Sequence, residues 1–157
     1  MAKKFKVPVE KGKTYTIDIL RLGSNGEGVG RVENFTVFVD GALPGETVTA
    51  RITFVKKQYA TGRLEKVQKP SEHRVKPPCS VYADCGGCQL QHLSYEGQLA
   101  EKRQQVQDAV ERIGKLKDIL VLPTLGADDP WAYRNKMQLP AGGDKKSLHI
   151  GCFAEKS

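Results

Sequence analysis

Short alternating segments separated by glycine turns run from residue 14 to residue 67 and constrain the fold more than any other feature. Residues 14–20 alternate polar and apolar side chains, and residues 47–54 do so more regularly. The apolar members of the second segment fall on one face: Val48, Ala50, Ile52 and Phe54. Period-two alternation in β-branched sequence indicates half-buried strands. About five such strands joined by turns predict a small closed β-barrel of the OB type, because closure removes exposed sheet edges.

The pattern Gly-x-Gly-x-Gly at residues 26–30 invites comparison with phosphate-binding loops. No helical pattern follows it, and no Lys-Ser or Lys-Thr pair closes it, so it lacks the parts that hold a phosphate. We therefore predict a turn that leads into a barrel strand.

The positive charge is concentrated in the first half of the chain. Residues 1–76 carry 15 Lys and Arg against 8 Asp and Glu, a net charge of +7, whereas residues 77–157 carry 10 of each. A small basic domain beside a neutral one predicts a polyanionic partner, above all a nucleic acid.

Candidate nucleic-acid contacts crowd the last barrel strands. The candidate phosphate contacts are four basic residues: Lys56, Lys57, Arg63 and Lys66. Tyr59 and Phe35 are candidates for stacking on unpaired bases. For each of these residues, a solvated charge or a core aromatic ring is the competing interpretation.

Targeting signals are missing from the sequence. No apolar run approaches the roughly 20 residues of a membrane span, and the basic N-terminus lacks the apolar core of a secretory signal. We therefore expect a cytoplasmic protein without membrane association, and no segment indicates a protein partner. In that reducing compartment, clustered cysteines are more often metal ligands or catalytic groups than disulfides.

Three of the four cysteines lie within ten residues, at Cys79, Cys85 and Cys88, and the fourth is the distant Cys152. An adjacent Gly-Gly pair permits the tight turn that would bring the thiolates to one metal centre. A compact triplet with a distant fourth thiol favours an iron–sulfur cluster. A structural zinc site usually takes two Cys-x2-Cys pairs, although His92 could complete a Cys₃His zinc site here.

Proline and capping residues organise the chain after the barrel of residues 1–70. Residues 71–78 are predicted to be a Pro-rich linker to a cysteine loop at 79–92. A helix is predicted from the N-cap Ser94 to Gly114. Its apolar stripe is predicted to pack in a core: Leu99, Val106, Val110 and Ile113. Opposite charges four residues apart are predicted to pair on the exposed side, namely Asp108 with Arg112 and Glu111 with Lys115.

Beyond the helix the pattern returns to strands. Residues 118–123 predict a strand, and residues 131–139 and 148–153 predict a β-hairpin with its turn at 142–144. Because no closing turn or helix follows, residues 93–157 are expected to be an incomplete β-rich domain. The predicted fold class is α+β, with an OB-like barrel, a cysteine-rich metal loop, one helix and part of a β-rich domain.

The cysteine loop, followed by Gln-Leu-Gln-His at 89–92, resembles the iron–sulfur loop of the bacterial 23S rRNA (uracil-5-)-methyltransferases. In that family an N-terminal TRAM domain, which is an OB-like barrel, precedes the loop. Tyr-Arg-Asn-Lys at 133–136 is similar to a motif of the family's central RNA-binding domain, so the resemblance implies that residues 93–157 are an incomplete central RNA-binding domain. The resemblance covers the whole chain and implies ribosomal RNA as partner and a 4Fe-4S cluster on Cys79, Cys85 and Cys88.

The resemblance implies catalytic parts that these residues do not contain. In the family, a C-terminal Rossmann-like domain binds S-adenosylmethionine and carries a cysteine nucleophile and a carboxylate base. The nucleophile adds to carbon 6 of uracil, which makes carbon 5 reactive toward the methyl group. We therefore expect a truncated chain without catalytic residues that is inactive alone.

Cys152 is doubtful as the fourth ligand. In the family that ligand follows an Ile-Gly-Phe-like segment, and here residues 150–153 occupy that segment itself, so Cys152 is interpreted as a small strand residue. The count of four cysteines argues the other way. One alternative function is a stand-alone RNA-binding protein with a zinc or iron–sulfur knuckle and no catalysis. Another is a radical methylthiotransferase. In those enzymes the cysteines are spaced Cys-x3-Cys-x2-Cys and the barrel comes last, so both the spacing and the domain order of this chain oppose that alternative.

Overall fold

The computed structural model describes residues 7–154, which belong to two compact units that divide between Arg74 and Val75. The first unit is a closed five-stranded β-barrel. Its strands are β1 (Thr14–Leu22), β2 (Gly28–Val32), β3 (Phe35–Asp40), β4 (Thr47–Val55) and β5 (Tyr59–Lys69). They pair in the order β1-β2-β3-β5-β4, and β4 also pairs with β1 to close the barrel. Every pair is antiparallel except β3 with β5. The predicted OB-like barrel is confirmed.

Alternate residues of each strand fill the barrel interior. The side chains with no accessible surface include Val37 and Val39 of β3, Val48 and Ala50 of β4, and Ala60 of β5. Full burial of a valine side chain contributes about 1.5–3 kcal/mol. The period-two pattern of the sequence therefore arises because every second side chain of a strand packs in this core.

Two of the predicted turn glycines lie inside β2, where the backbone passes very close to its neighbours. A Cβ on Gly30 would lie 2.4 Å from Ile17 Cγ2 and 2.5 Å from the Asp18 carbonyl oxygen. A Cβ on Gly28 would lie 2.7 Å from the Ala42 carbonyl oxygen. Close packing within a strand therefore requires these two glycines.

The second unit contains the predicted helix. Helix α1 (Tyr95–Asp108) continues into a π-helical turn, Ala109–Ile113. The side chain of Ser94 accepts a hydrogen bond from the N–H of Gly97 at 3.1 Å, so the predicted N-cap is confirmed. Gly114 ends the helical segment. Within residues 7–154, no helix has both the length and the apolar character needed to cross a membrane.

The predicted apolar stripe of this helix is only partly buried. Leu99 and Val110 are half-buried, whereas Val106 is 51% and Ile113 is 82% exposed. The core prediction is therefore wrong for Val106 and Ile113, which lie on the exposed side of the helical segment.

The predicted ion pairs of the helix have different outcomes. Arg112 Nη2 lies 3.4 Å from Asp108 Oδ2, as predicted. Glu111 accepts a hydrogen bond from the side chain of Gln107. Lys115 lies beyond the helical segment in a left-handed conformation, with a φ of 56°.

Residues 119–124 run along α1 without forming a strand. Arg103 Nε donates to the carbonyl of Val121 at 2.9 Å, and Thr124 Oγ1 donates to the carbonyl of Leu99 at 3.0 Å. Because side chains of the helix, and not a neighbouring strand, bond to this backbone, the predicted strand at 118–123 is wrong.

The predicted C-terminal hairpin exists with shorter and shifted strands. Strand β6 (Ala141–Gly143) pairs with β7 (Leu148–Ile150), and residues 131–139 form no strand. The carboxylate of Asp144 accepts a hydrogen bond from the N–H of Ser147 at 3.0 Å, which fixes the turn at 144–147. Asp favours the start of a turn for this reason. The predicted turn at 142–144 is therefore wrong, because the observed turn begins two residues later.

Candidate nucleic-acid interface and cysteine loop

The predicted basic residues lie along β5 and the turn that precedes it. Lys56 and Lys57 belong to the β4–β5 turn, and Arg63 and Lys66 belong to β5; all four are exposed. Tyr59 precedes Arg63 by four residues, so both side chains leave the same outer face of the strand. All four candidates are therefore accessible from outside the barrel, along one strand and the turn before it.

A β-bulge in β4 turns Phe54 out of the barrel. The register of β4 against β5 passes from Ile52–Gly62 to Phe54–Thr61, so Thr53 is an inserted residue. An inserted residue reverses the direction of the side chains that follow it. Phe54 is consequently 48% exposed, and the prediction that it shares the buried face of β4 is wrong.

Phe54 belongs to a small aromatic cluster that includes a lysine. The rings of Phe38 and Tyr59 meet edge to face, with centroids 5.5 Å apart and planes at 90°. Lys56 Nζ lies 5.4 Å from the centroid of Tyr59 and 5.8 Å from that of Phe54. An ammonium group at about 6 Å or less from a ring face is attracted to it. We call Phe38, Phe54, Lys56 and Tyr59 the aromatic platform.

Phe35 cannot contribute to this surface. It is 4% exposed and packs in the barrel core, so its predicted stacking role is wrong. Phe38 lies on the opposite face of β3 and was missed. The alternation of β3, with Phe35 and Val37 inward, carried the signal that would have found it.

Two carboxylates offset part of the positive charge on this side of the barrel. Arg51 Nε donates to Glu65 Oε1 at 2.6 Å, and this bond holds the pKa of Glu65 below its ordinary value. Asp40 lies opposite Arg63 in the β3–β5 register. The excess of positive charge is therefore greatest at the β4–β5 turn.

The cysteine loop is braced by Tyr82, which lies between the first two cysteines. Its hydroxyl donates to the carbonyl of Gln89 at 2.7 Å and lies 2.5 Å from Nδ1 of the buried His92. Because the single hydroxyl proton goes to the carbonyl, His92 Nδ1–H is the donor to Tyr82. These bonds tie the start of the loop to the segment after its last cysteine.

The structure sets Cys152 beside the loop. Cys85 forms a β-bridge with Ala154. The charge of Cys85 raises the pKa of the Cys152 thiol above its ordinary value, and burial and Cys88 contribute in the same direction. A Cβ placed on Gly87 would lie 3.3 Å from the sulfur atoms of both Cys85 and Cys152. Glycine therefore keeps open the space between these two thiols.

The donor set suits a thiolate-bound centre, although the ligands are not already gathered. Among residues 7–154, no group of three or more His, Cys, Asp or Glu side chains is arranged to hold a metal ion. Cys79 opens the loop, with its N–H donating to Gln91 at 3.3 Å. Thiolates are the ligands of iron–sulfur clusters and of many zinc sites. The chemistry of these residues fits such a group, and binding would draw the thiols together.

Comparison with known families decides what the barrel is. Residues 8–64 match the TRAM domain family. The barrel is a TRAM domain. A conserved protein of Methanococcus maripaludis, known from a solution structure, is 36% identical over 39% of this chain and 87% of that chain, with a TM-score of 0.38.

Longer relatives extend the similarity beyond the TRAM domain. A protein of Clostridium tetani named uncharacterized RNA methyltransferase is 49% identical over 96% of this chain. One with the same description from Halalkalibacterium halodurans is 49% identical over 92% of this chain. The chain spans only 33% and 32% of the length of these two relatives. The resemblance to TRAM-containing RNA methyltransferases is confirmed.

Sequence reasoning missed a buried ion pair that joins Glu46 of the TRAM domain to Arg74 beyond it. The Glu46 side chain is fully buried, and its two oxygens lie 2.5 Å from Arg74 Nε and 2.8 Å from Arg74 Nη2. The N–H groups of Leu43 and Ser71 also donate to it, at 2.8 and 3.2 Å. Burial opposes ionisation, but the bonds from Arg74, Leu43 and Ser71 outweigh it and lower the pKa of Glu46. The pair fastens residues 71–74, the start of the predicted linker, to the barrel.

Proposed function

We propose that this chain is the N-terminal part of an S-adenosylmethionine-dependent 23S rRNA uracil-5-methyltransferase. The observation that carries the proposal is the match of 92–99% of the chain to one third of proteins named RNA methyltransferases. The TRAM domain followed by the Cys-x5-Cys-x2-Cys loop supports the uracil-5 branch. In this account the chain works in the cytoplasm and positions ribosomal RNA, and methyl transfer belongs to other parts of the protein.

The TRAM domain binds RNA through the basic side of β5. Each phosphate contact releases counterions, so the affinity falls with salt, by a slope of about 0.7 per contact with a single strand. Contacts from Lys56, Lys57, Arg63 and Lys66 together predict a slope of about −3 in log affinity against log salt. The exposure of all four side chains supports this role.

Cys79, Cys85 and Cys88 would hold a 4Fe-4S cluster. When bound, the cluster would supply a structural tie within the loop, with no redox step. Anaerobic purification with iron, sulfide and zinc analysis tests the proposal, and we expect iron and sulfide together with a brown chromophore. Zinc without sulfide would contradict it.

Single cysteine variants test which thiols are ligands and what the metal does. Cys88→Ser should lose the chromophore, stability and RNA affinity together. Loss of the chromophore with normal stability would oppose a structural role. Cys152 lies just beyond β7 (Leu148–Ile150) and not within a strand. Cys152→Ser in the same series decides whether it is a ligand, because loss of a ligand loses iron and loss of a non-ligand retains it.

Methylation itself requires the whole protein. The full-length protein should transfer a labelled methyl group from S-adenosylmethionine to carbon 5 of a uridine in 23S rRNA, and the 157-residue chain should transfer none. Methylation of another base or another RNA class would contradict the assigned substrate.

A further inference from the structure

We propose that the aromatic platform is a stacking site for unpaired RNA bases and makes the TRAM domain selective for single-stranded RNA. The inference rests on the proposed RNA-binding function and adds the strand state of the RNA and the residues that read it. The observation behind it is the β-bulge at Thr53, which takes Phe54 off the buried face of β4.

The bulge is held in place by side-chain bonds. Thr53 Oγ1 donates to the carbonyl of Thr61 at 3.1 Å and lies 3.1 Å from Thr61 Oγ1. Burial of a phenylalanine ring favours folding, so a regular strand that kept Phe54 inward would suit the core. Bulges occur often where a strand must re-aim a side chain beside a binding site. The exposed ring of Phe54 therefore points to a ligand.

The surroundings of Phe54 define the chemistry of that ligand. Phe38 and Tyr59 meet at 90°, so the two rings present differently oriented surfaces on neighbouring strands. Lys56 lies near the rings of both Phe54 and Tyr59, within reach of a phosphate attached to a stacked base. Aromatic rings stack on any base, and basic groups track the backbone, which together describe single-strand binding.

The positive charge of the domain favours RNA, and not an apolar protein segment, as the ligand of the aromatic platform. Residues 1–76 carry the whole net charge of +7, and the excess on this side of the barrel lies at the β4–β5 turn that contains Lys56. A duplex covers its base faces by internal stacking and offers phosphates alone, so it can engage the lysines but not the rings. The platform should therefore distinguish single strands from duplexes of equal charge.

The test compares Phe54→Ala with Leu20→Ala in the 157-residue chain. Leu20 is a matched control because it is an apolar side chain of β1, 63% exposed, outside the platform. Fluorescence anisotropy measures affinity for an unstructured RNA of about 12 nucleotides, a length within the site size of OB folds, and for a duplex of the same length. Thermal melting reports the folded state of each variant.

We expect Phe54→Ala to weaken single-strand binding by at least about 5-fold, to leave duplex binding within 2-fold of wild type, and to keep the melting temperature. Leu20→Ala should change neither affinity, and Phe54→Trp should retain single-strand binding. Wild-type affinity of Phe54→Ala for the single strand, or equal losses on both RNAs, would overturn the stacking site while leaving RNA binding intact.

Two further outcomes separate the competing explanations. If the wild-type chain binds neither RNA at low salt, the proposed function itself fails. If the wild-type chain self-associates in light scattering and Phe54→Ala abolishes this without changing RNA affinity, the platform is a protein-docking surface and the stacking proposal is overturned.

Discussion

Replacing Glu46 by Gln tests whether the buried ion pair with Arg74 stabilises the barrel and the segment fastened to it. The substitution keeps the volume of the side chain and removes its charge. One carboxylate oxygen accepts from Leu43 N–H and Arg74 Nη2, and the other accepts from Ser71 N–H and Arg74 Nε. The amide NH₂ of Gln therefore faces two donors in either orientation, so two hydrogen bonds are lost.

The magnitude follows from the burial of the two partners. Breaking a buried pair by removing one charge costs about 3–5 kcal/mol, and each buried donor left without an acceptor costs about 1–3 kcal/mol. The Arg74 side chain is 24% exposed and recovers some hydration, so we expect the low end of that range. A loss of about 3 kcal/mol corresponds to a drop of roughly 12–24 °C in melting temperature for a barrel of this size.

Urea denaturation followed by the amide NMR signals of the barrel core measures this loss without interference from the second unit. Glu65→Gln is the matched control, because Glu65 also accepts a 2.6 Å bond from an arginine, Arg51, but the side chains are 33% and 58% exposed. Exposed pairs contribute about 0–1 kcal/mol. A loss for Glu46→Gln no larger than that for Glu65→Gln would refute the reasoning.

Gly30→Ala should destabilise the barrel by about 2–3 kcal/mol through overpacking. Gly62→Ala is the control: its Cβ would lie 3.4 Å from its nearest neighbours, and it should cost less than about 1 kcal/mol. Equal losses of stability in urea denaturation would contradict the close packing of β2. Because the folded-state pKa of Glu46 is below its ordinary 4.5, its contribution is complete above that pH and is lost as the pH falls through the folded pKa. The stability difference between wild type and Glu46→Gln should therefore shrink in acid, and a difference independent of pH would be inconsistent with this pair. Tyr82→Phe removes two hydrogen bonds from the cysteine loop, so modification of the partly buried Cys79 and Cys85 thiols in the metal-free protein should accelerate about 10-fold. An unchanged rate at these two thiols would show that Tyr82 does not stabilise the loop.

The sequence predicted what depends on local pattern. Alternation in residues 14–67 identified the barrel, and the capping side chain of Ser94 identified the start of α1. In both cases the residues that carry the pattern lie within a few positions of the element that they predict. The TRAM and RNA methyltransferase resemblance came from motif order and is borne out by the relatives.

The sequence could not predict features that depend on distant partners. The bulge at Thr53 reverses the alternation just before Phe54, and nothing in the local residue types marks it. Glu46 and Arg74 lie 28 residues apart, and no spacing rule joins them. The prediction of a strand at 118–123 was wrong because Arg103 and other helix side chains bond to the backbone of that segment. Such tertiary contacts leave no trace in the periodicity of the sequence.

The salt dependence of RNA affinity tests the central claim most directly. Binding of an unstructured RNA by the 157-residue chain should show a slope of about −3 in log affinity against log salt, and replacing both Lys56 and Lys57 by Gln should reduce the slope by about 1.4. The charge-matched control replaces Lys145 and Lys146, an adjacent exposed pair in the 144–147 turn, and should leave the slope unchanged. An affinity that does not change between low and moderate salt, or the same reduction from both lysine pairs, would contradict RNA binding by this face of the TRAM domain.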